Sequence, residues 1–403
     1  MAALNDRANK ILSVLFDYEE ISEETLRLIY GKKKYSKNII NKLLDKKLIK
    51  RGVLKIKASK KAKYEATSIH LSSLGQKELF RYGVDSADCR RKRVGGSKWI
   101  ERIMKTSDSV LTCCVAGCVG YKKAGYPHEM CLLEDVEHPF LNINPFMDQV
   151  QNMDVELLIS LIRKYGVIFS MTDIRRDLKY LTQDGNHWNS SSATGLLLAE
   201  NGPYMVYHAN HGYLAMARSG ELNFSIKLMT YLNAQGIYSD RYGMMDGVRK
   251  AIIFVRDKVS VRRLVQNTYL LNYKAFQEFN ESYIIPISQE GVQYLKLIMH
   301  HSDFRQSLLD VLLQKYNCVA NTNLFEGYKY PVVSEDGIRI FYGIEMDLLL
   351  LHEVYKEGLE IYILCLEWQV EYYKSIFGEK VSFITITQKS IEKILLNKNL
   401  VQE

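Results

Sequence analysis

At 403 residues, with 47% hydrophobic and 25% charged residues, the chain is long enough for two or three domains and has the make-up of a folded globular protein, which excludes a disordered or fibrous one. Its net charge of +8 is unevenly spread: residues 31–63 carry fourteen lysines and arginines against one acid, Asp45, so this stretch is +13 and the remainder sums to −5. The longest apolar runs, LLLL at 348–351 and IYILCL at 361–366, are too short to span a bilayer, and MAALNDRANK lacks the apolar core of a secretion signal, so a cytoplasmic protein with no membrane partner is expected.

Residues 6–18 place Ile11, Leu12, Leu15 and Phe16 on one helical face. Ser22 is a good N-cap, and Glu23 and Glu24 follow in the turn where the helix dipole favours acids, so a short helix is predicted from Glu23 to Tyr30. A third helix is predicted from Tyr35 to Lys47, with Ile39, Ile40, Leu43 and Leu44 on its apolar side and Asn38, Asn41, Lys42 and Asp45 opposite. Gly52 reads as a helix-to-strand turn, LKIK as a half-exposed strand and ASKKAK as a basic loop. YEATSIHLSSL reads as a return strand leading into the helix LGQKELFRYG. Helix, strand, basic loop, strand is the order of a winged helix-turn-helix, so residues 1–84 are predicted to be a DNA-binding domain. The outer face of the third helix mixes amides and a lysine, which suits base edges and phosphates in a major groove. The predicted contacts to double-stranded DNA are Lys32, Lys33, Lys34, Ser36, Lys37, Asn38, Asn41 and Lys42 from the helix region, and Lys55, Lys57, Lys60, Lys61 and Lys63 from the wing. A run of lysines is more often a solvated face. Here the charge covers both candidate contact elements, which favours DNA.

Residues 85–98, with Arg90, Arg91, Lys92, Arg93, Gly95 and Gly96, read as a basic hinge. The helical stretch after it holds Cys113, Cys114 and Cys118, with His128 and Cys131 further on. The spacing does not make a paired C-x-x-C ribbon, and core packing is preferred over a metal. Seven cysteines without a regular framework point to reduced thiols. From about residue 155 helices alternate with apolar strand segments to the end of the chain, so the fold class expected is α+β or α/β with a mixed sheet. Residues 99–280 are assigned to one α/β domain. Residues 281–403 form a C-terminal α/β region that either stands alone or continues it.

Catalytic constellations are scarce. There is no G-x-x-x-x-G-K-[ST] loop and no G-x-G-x-x-G, so no cofactor is expected. His208 and His211, and the adjacent His300 and His301, read as surface or strand-end residues. Arg175, Arg176 and Lys179 near Tyr180 fit an exposed helix as well as a strand-transfer site. A metal-dependent nuclease of the restriction-enzyme kind needs an acid at one strand and an acid and a lysine on the next, to hold magnesium. The strand pair at 194–209 has that outline. The acid positions, however, hold Ala193, Thr194, Tyr207 and Ala209, and Glu200 lies in the turn. No catalytic residue and no metal ligand is assigned.

The stretch ILSVLFDYEEISEETLRLIYGKKKYSKNIINKLLDKKLI, with SSSATGLLLAENGPYMVYHAN and AIIFVRDKVSVRRLV, resembles the replication-relaxation family of plasmids and integrative elements of Gram-positive bacteria, over about residues 8–270. The resemblance implies an N-terminal winged helix followed by a mixed α/β domain on a degenerate PD-(D/E)XK nuclease scaffold. It implies a role in plasmid replication, DNA relaxation or control of transfer. On the hypothesis of a DNA-binding protein, the α/β part supplies self-association or contacts to replication or transfer proteins, and a dimer reading a repeated half-site is common among winged-helix modules. The resemblance carries over no catalytic residue. The alternatives from the residues are a nuclease or relaxase with an unrecognised active site, and a winged-helix transcriptional regulator sensing something through its α/β part.

Overall fold

The computed structural model describes residues 6–29, 33–57, 63–81, 96–120, 155–172, 174–175, 191–209, 211–212, 214, 218–238, 247–266, 279–300, 304–315, 318–321, 327, 329–391 and 393. The fold is mixed α/β, with helices around three sheets.

The N-terminal part runs α1 (Asp6–Tyr18), β1 (Glu20–Ser22), α2 (Glu23–Ile29), α3 (Lys33–Asp45), β2 (Ile49–Lys57), β3 (Lys63–Leu71) and α4 (Ser73–Arg81). Ile11, Leu12, Leu15 and Phe16 are buried as the helical spacing requires. Ser22 Oγ accepts from the Thr25 amide and caps α2. The three strands form an antiparallel sheet in the order β1-β3-β2. The expected turn at Gly52 is displaced: Gly52 lies inside β2, opposite Ser68. The chain turns at Lys47 instead (φ 58°), where the Leu48 amide donates back to Leu43 O and the Lys47 amide to Leu44 O. These bonds close the helix end in the geometry that glycine usually serves, with a lysine in the left-handed position.

Helix α5 (Ser97–Val115) follows. One side packs on β1, α2 and β2, the other on β5, β7 and α9 of the next sheet. That sheet contains β4 (Val119–Gly120), β5 (Val167–Ser170), β6 (Gly195–Ala199), β7 (Gly202–Ala209), β8 (Lys250–Val255) and β9 (Glu281–Pro286), in sequence order. Strands β5, β6 and β7 are an antiparallel meander, and β7, β8 and β9 run parallel. Its helices are α6 (Val155–Tyr165), α7 (Arg218–Ala234), α8 (Lys258–Gln266) and α9 (Gln289–His300). Each β8 residue from Ala251 to Val255 is buried, as expected for a strand covered on both faces.

After α10 (Phe304–Lys315), the five-stranded sheet is built from β10 (Val319–Ala320), β11 (Val332–Val333), β12 (Arg339–Tyr342), β13 (Ile361–Leu366) and β14 (Val381–Ile386), again in sequence order. Helices α11 (Leu348–Glu357) and α12 (Val370–Phe377) cross between its parallel strands. Asp347 joins the two larger sheets. It caps α11, accepting from the Leu349 and Leu350 amides at 2.9 and 3.0 Å, and also accepts from Ser282 N on β9 at 2.7 Å. One apolar cluster runs from α1 through α5 and the six-stranded sheet to Leu364 and Leu366.

Gly291 shows how tightly α9 follows β9. A Cβ there would lie 1.9 Å from Pro286 O, a backbone atom that cannot swing aside. Gly291→Ala is expected to lower stability by about 1–3 kcal/mol, read as a lower urea midpoint at unchanged m-value.

Candidate nucleic-acid interface

Helix α3 buries Ile39, Ile40 and Leu43 and leaves Leu44 partly covered. The same geometry leaves Lys37, Asn38, Asn41, Lys42 and Asp45 exposed. Alternation along β2 then fixes which side of the small sheet each residue takes. Arg51 pairs with Glu23 of α2 at 2.8 Å, so Arg51, Val53 and Lys55 point to the side on which the helices sit. Leu54 points the other way and packs with Ala66, Ile100 and Met104, under the cover of α5. Lys55 is exposed and lies 4.0 Å from Glu65 across the strand pair. The exposed polar face of α3 and the lysine-bearing face of β2 therefore share one side of the sheet.

Among the other expected contacts, Lys33, Lys34 and Ser36 belong to α3, Lys57 to β2 and Lys63 to β3. Lys32, Lys60 and Lys61 lie outside the described residues, as do most of the expected hinge and His128, Cys131, Arg176, Lys179, Tyr180 and His301. The body of the protein braces the strand pair. His211, in the left-handed region (φ 50°), places Nε2 3.2 Å from Glu65 O, on the stretch of β3 beyond the end of β1. Arg263 NH1 stands 3.5 Å from His211 O.

Three buried clusters of ionisable groups lie elsewhere, none of them foreshadowed by a motif. The first centres on Asp108 of α5, which is fully buried. Its Oδ1 accepts from Ser22 N at 2.9 Å. Its Oδ2 lies 3.3 Å from Arg256 and 3.5 Å from His208 Nε2. Burial alone would raise the Asp108 pKa, but His208, the Arg256 charge and the Ser22 amide together hold it below the usual carboxylate value. Burial lowers that of His208. His208 does stand near the end of its strand, as expected, but it is buried there rather than on the surface. In the second cluster Glu221, in the first turn of α7, accepts from Ser191 Oγ (2.7 Å), Tyr207 OH (2.9 Å) and Ser192 N. Burial raises the pKa of both Glu221 and Tyr207. All three donors are committed to one carboxylate, so the group behaves as a structural tie between the β6–β7 base and α7. Arg175, which fits an exposed helix or a strand-transfer site in the sequence, is buried against Ser191 O and Ala193 O.

The third cluster lies between the larger sheets. Burial pushes Glu345 up to about 7, against the opposing charge of Arg305 at 3.6 Å, and pushes Asp347 up to about 6. The folded chain then holds the Glu345 proton more tightly than the unfolded chain, whose value is 4.5. The contribution of Glu345 to stability is present below about pH 4.5 and is lost as pH rises to about 7. Between pH 4.5 and 7 the urea midpoint of the native protein is expected to fall relative to that of Glu345→Gln.

Cys113, Cys114 and Cys118 pack in the apolar core, and burial pushes the first two thiols up. Among the described residues no group of three or more His, Cys, Asp or Glu is arranged to hold a metal ion, and no helix is long and apolar enough to cross a membrane. The three clusters lie inside the fold, whereas the α3–β2 face is open and basic, which makes it the candidate interface. Traces of the first cluster do exist in the sequence: Asp108 sits among Thr106, Ser107 and Ser109 just before the apolar run VLTCCV, and Arg256 ends an apolar strand. What the sequence does not carry is their convergence from positions up to 148 residues apart. No family model, curated protein or solved structure matches this chain.

Proposed function

We propose that this chain is a DNA-binding protein of a plasmid or mobile element, acting in replication initiation, DNA relaxation or transfer control. In this reading residues 1–84 are a winged-helix domain, with α3 in the major groove and the β2–β3 strands along the neighbouring backbone. The observation that carries it is the shared exposed side: Lys37, Asn38, Asn41 and Lys42 of α3 stand with Lys55 of β2 on one face, while α5 covers the other. Amides and lysines there supply base-edge and phosphate contacts respectively.

The order α6, β5, β6, β7, α7, β8, with a meander followed by a parallel strand, supports a nuclease-like scaffold behind the DNA-contacting module. At its β6–β7 base Thr194 bonds Ser109 and Tyr207 bonds Glu221, so these positions are spent on packing rather than on magnesium. A double-stranded DNA partner without strand cleavage is the reading this favours. Replication or transfer proteins would then meet the α/β part.

Fluorescence anisotropy with duplex DNA flanking the protein's own gene, beside a scrambled duplex, tests the reading across a salt series. Tight binding to the native duplex with a steep salt slope is expected. Equal weak binding to both duplexes rejects sequence-specific recognition. Magnesium-dependent nicking of supercoiled plasmid would move the chain to the nuclease class.

A further inference from the structure

Glu23 holds two arginines at once. Its Oε1 accepts from Arg27 NH2, one turn along α2, and its Oε2 accepts from Arg51 NH2 of β2 at 2.8 Å. The three side chains are unequally covered: Glu23 is 15% exposed, Arg27 39% and Arg51 45%. The carboxylate is therefore the sunken base of the group, and the guanidiniums are its rim. Each guanidinium gives one terminal nitrogen to Glu23, and among the described residues neither makes another side-chain hydrogen bond. Arg51 keeps Nε and NH1 as donors, and Arg27 keeps NH1. A lone surface ion pair is usually worth little. What marks this group is its surplus guanidinium and the place where it stands. Arg51 lies on the face of β2 that carries Lys55, on the side of the sheet that the polar face of α3 shares. Four residues of strand separate Arg51 from Lys55 by about 13 Å, so one backbone phosphate cannot serve both.

We propose that Arg27 and Arg51 form a clamp for a backbone phosphate of duplex DNA, set in place by Glu23, a role that rests on the DNA-binding reading above. A guanidinium meets a phosphate with two parallel N–H donors, so its orientation matters as well as its charge. Two guanidiniums alone would repel each other, and each long side chain would have to be ordered on binding. Glu23 sits between them, offsets the repulsion and fixes both side chains before DNA arrives. It touches no phosphate and acts as a positioning residue. The two roles open to an acid on this face have opposite signs. If Glu23 only repelled DNA, removing its charge would tighten binding. If it is the base of a clamp, removing its charge weakens binding although the protein becomes more basic.

Anisotropy titrations of the full chain with the native and scrambled duplexes, over a salt series, test this. Arg27→Ala and Arg51→Ala should each flatten the salt slope by about 0.9 and weaken both duplexes alike, about five- to tenfold near 0.1 M salt. Arg51→Lys should keep the slope yet lose about threefold in affinity, because an ammonium lacks the fork. Glu23→Gln should lose about threefold on both duplexes, where simple charge removal gives a gain. Arg51 is exposed, so Arg51→Ala decides the matter even where Glu23→Gln unsettles α2. A native chain that binds neither duplex rejects the DNA reading and the clamp together. Binding that is unchanged by Arg27→Ala and Arg51→Ala but lost on charge reversal of Lys37, Lys42 and Lys55 rejects the clamp alone. Tighter binding by Glu23→Gln does the same.

Discussion

Asp108→Ala is expected to cost about 3–5 kcal/mol, because it leaves the largely covered Arg256 without a counter-charge and Ser22 N without an acceptor. Against a typical stability of about 5–15 kcal/mol this is a large share. Chemical denaturation should show it directly. Asp108→Asn separates the two contributions. It keeps an acceptor for the Ser22 amide and removes the charge, so it should fall between wild type and alanine. The pH signature has a definite sign. A carboxylate held below its ordinary value of 3.8 contributes stability that is present above that pH and lost as pH falls through the lower folded value. The acid limb of the stability curve should therefore be shallower in Asp108→Asn. An alanine variant as stable as the native chain would mean that the Asp108 contacts do not hold the small sheet to the larger one.

Charge reversal of Lys37, Lys42 and Lys55 together is the second large effect, and it falls on DNA affinity rather than on stability. Each is exposed, so Tm should change little. Each phosphate that a lysine neutralises adds about 0.9 to the steepness of log K against log salt, so removing three such lysines should flatten the slope by about 2.7. Affinity near 0.1 M salt should drop by roughly a hundredfold or more. Asn41→Ala has a different signature: discrimination at one base pair should relax by about 1–3 kcal/mol, with the salt slope intact. Unchanged affinity in the triple variant would sink the assignment of this face.

The parts of the fold that were legible in the sequence are those set by local periodicity. The apolar spacing of α1 and α3, the Ser22 cap and the unbroken apolar run of β8 each fix an element from within. Strand β1 was not legible. Three residues carry no period, and the strand exists because β3 and Asp108 hold its edges. Gly52 misled because glycine usually marks a turn, whereas here the left-handed position falls to Lys47 and the glycine sits in a strand. For the candidate interface, the exposed face of α3 followed from charge and helical period, and Lys55 from alternation. The buried ties were not foreseeable, since Asp108, His208 and Arg256 lie on three elements whose contacts depend on the whole topology.

The position of α5 also bears on how the protein is made. The N-terminal sheet leaves the ribosome well before its floor, because Ile100 and Met104, which cover Leu54 and Ala66, come after α4. The other face of α5 packs on β5, β7 and α9, and Asp108 on it needs the Arg256 that follows β8, so the Asp108 cluster is not complete until Arg256 has been translated. At about 5–20 residues per second that interval lasts many seconds, during which the half-covered strands need shielding. Nascent chains arrested shortly after α5 should therefore be protease-sensitive in the small sheet. Those arrested far enough downstream to free β8 should be resistant.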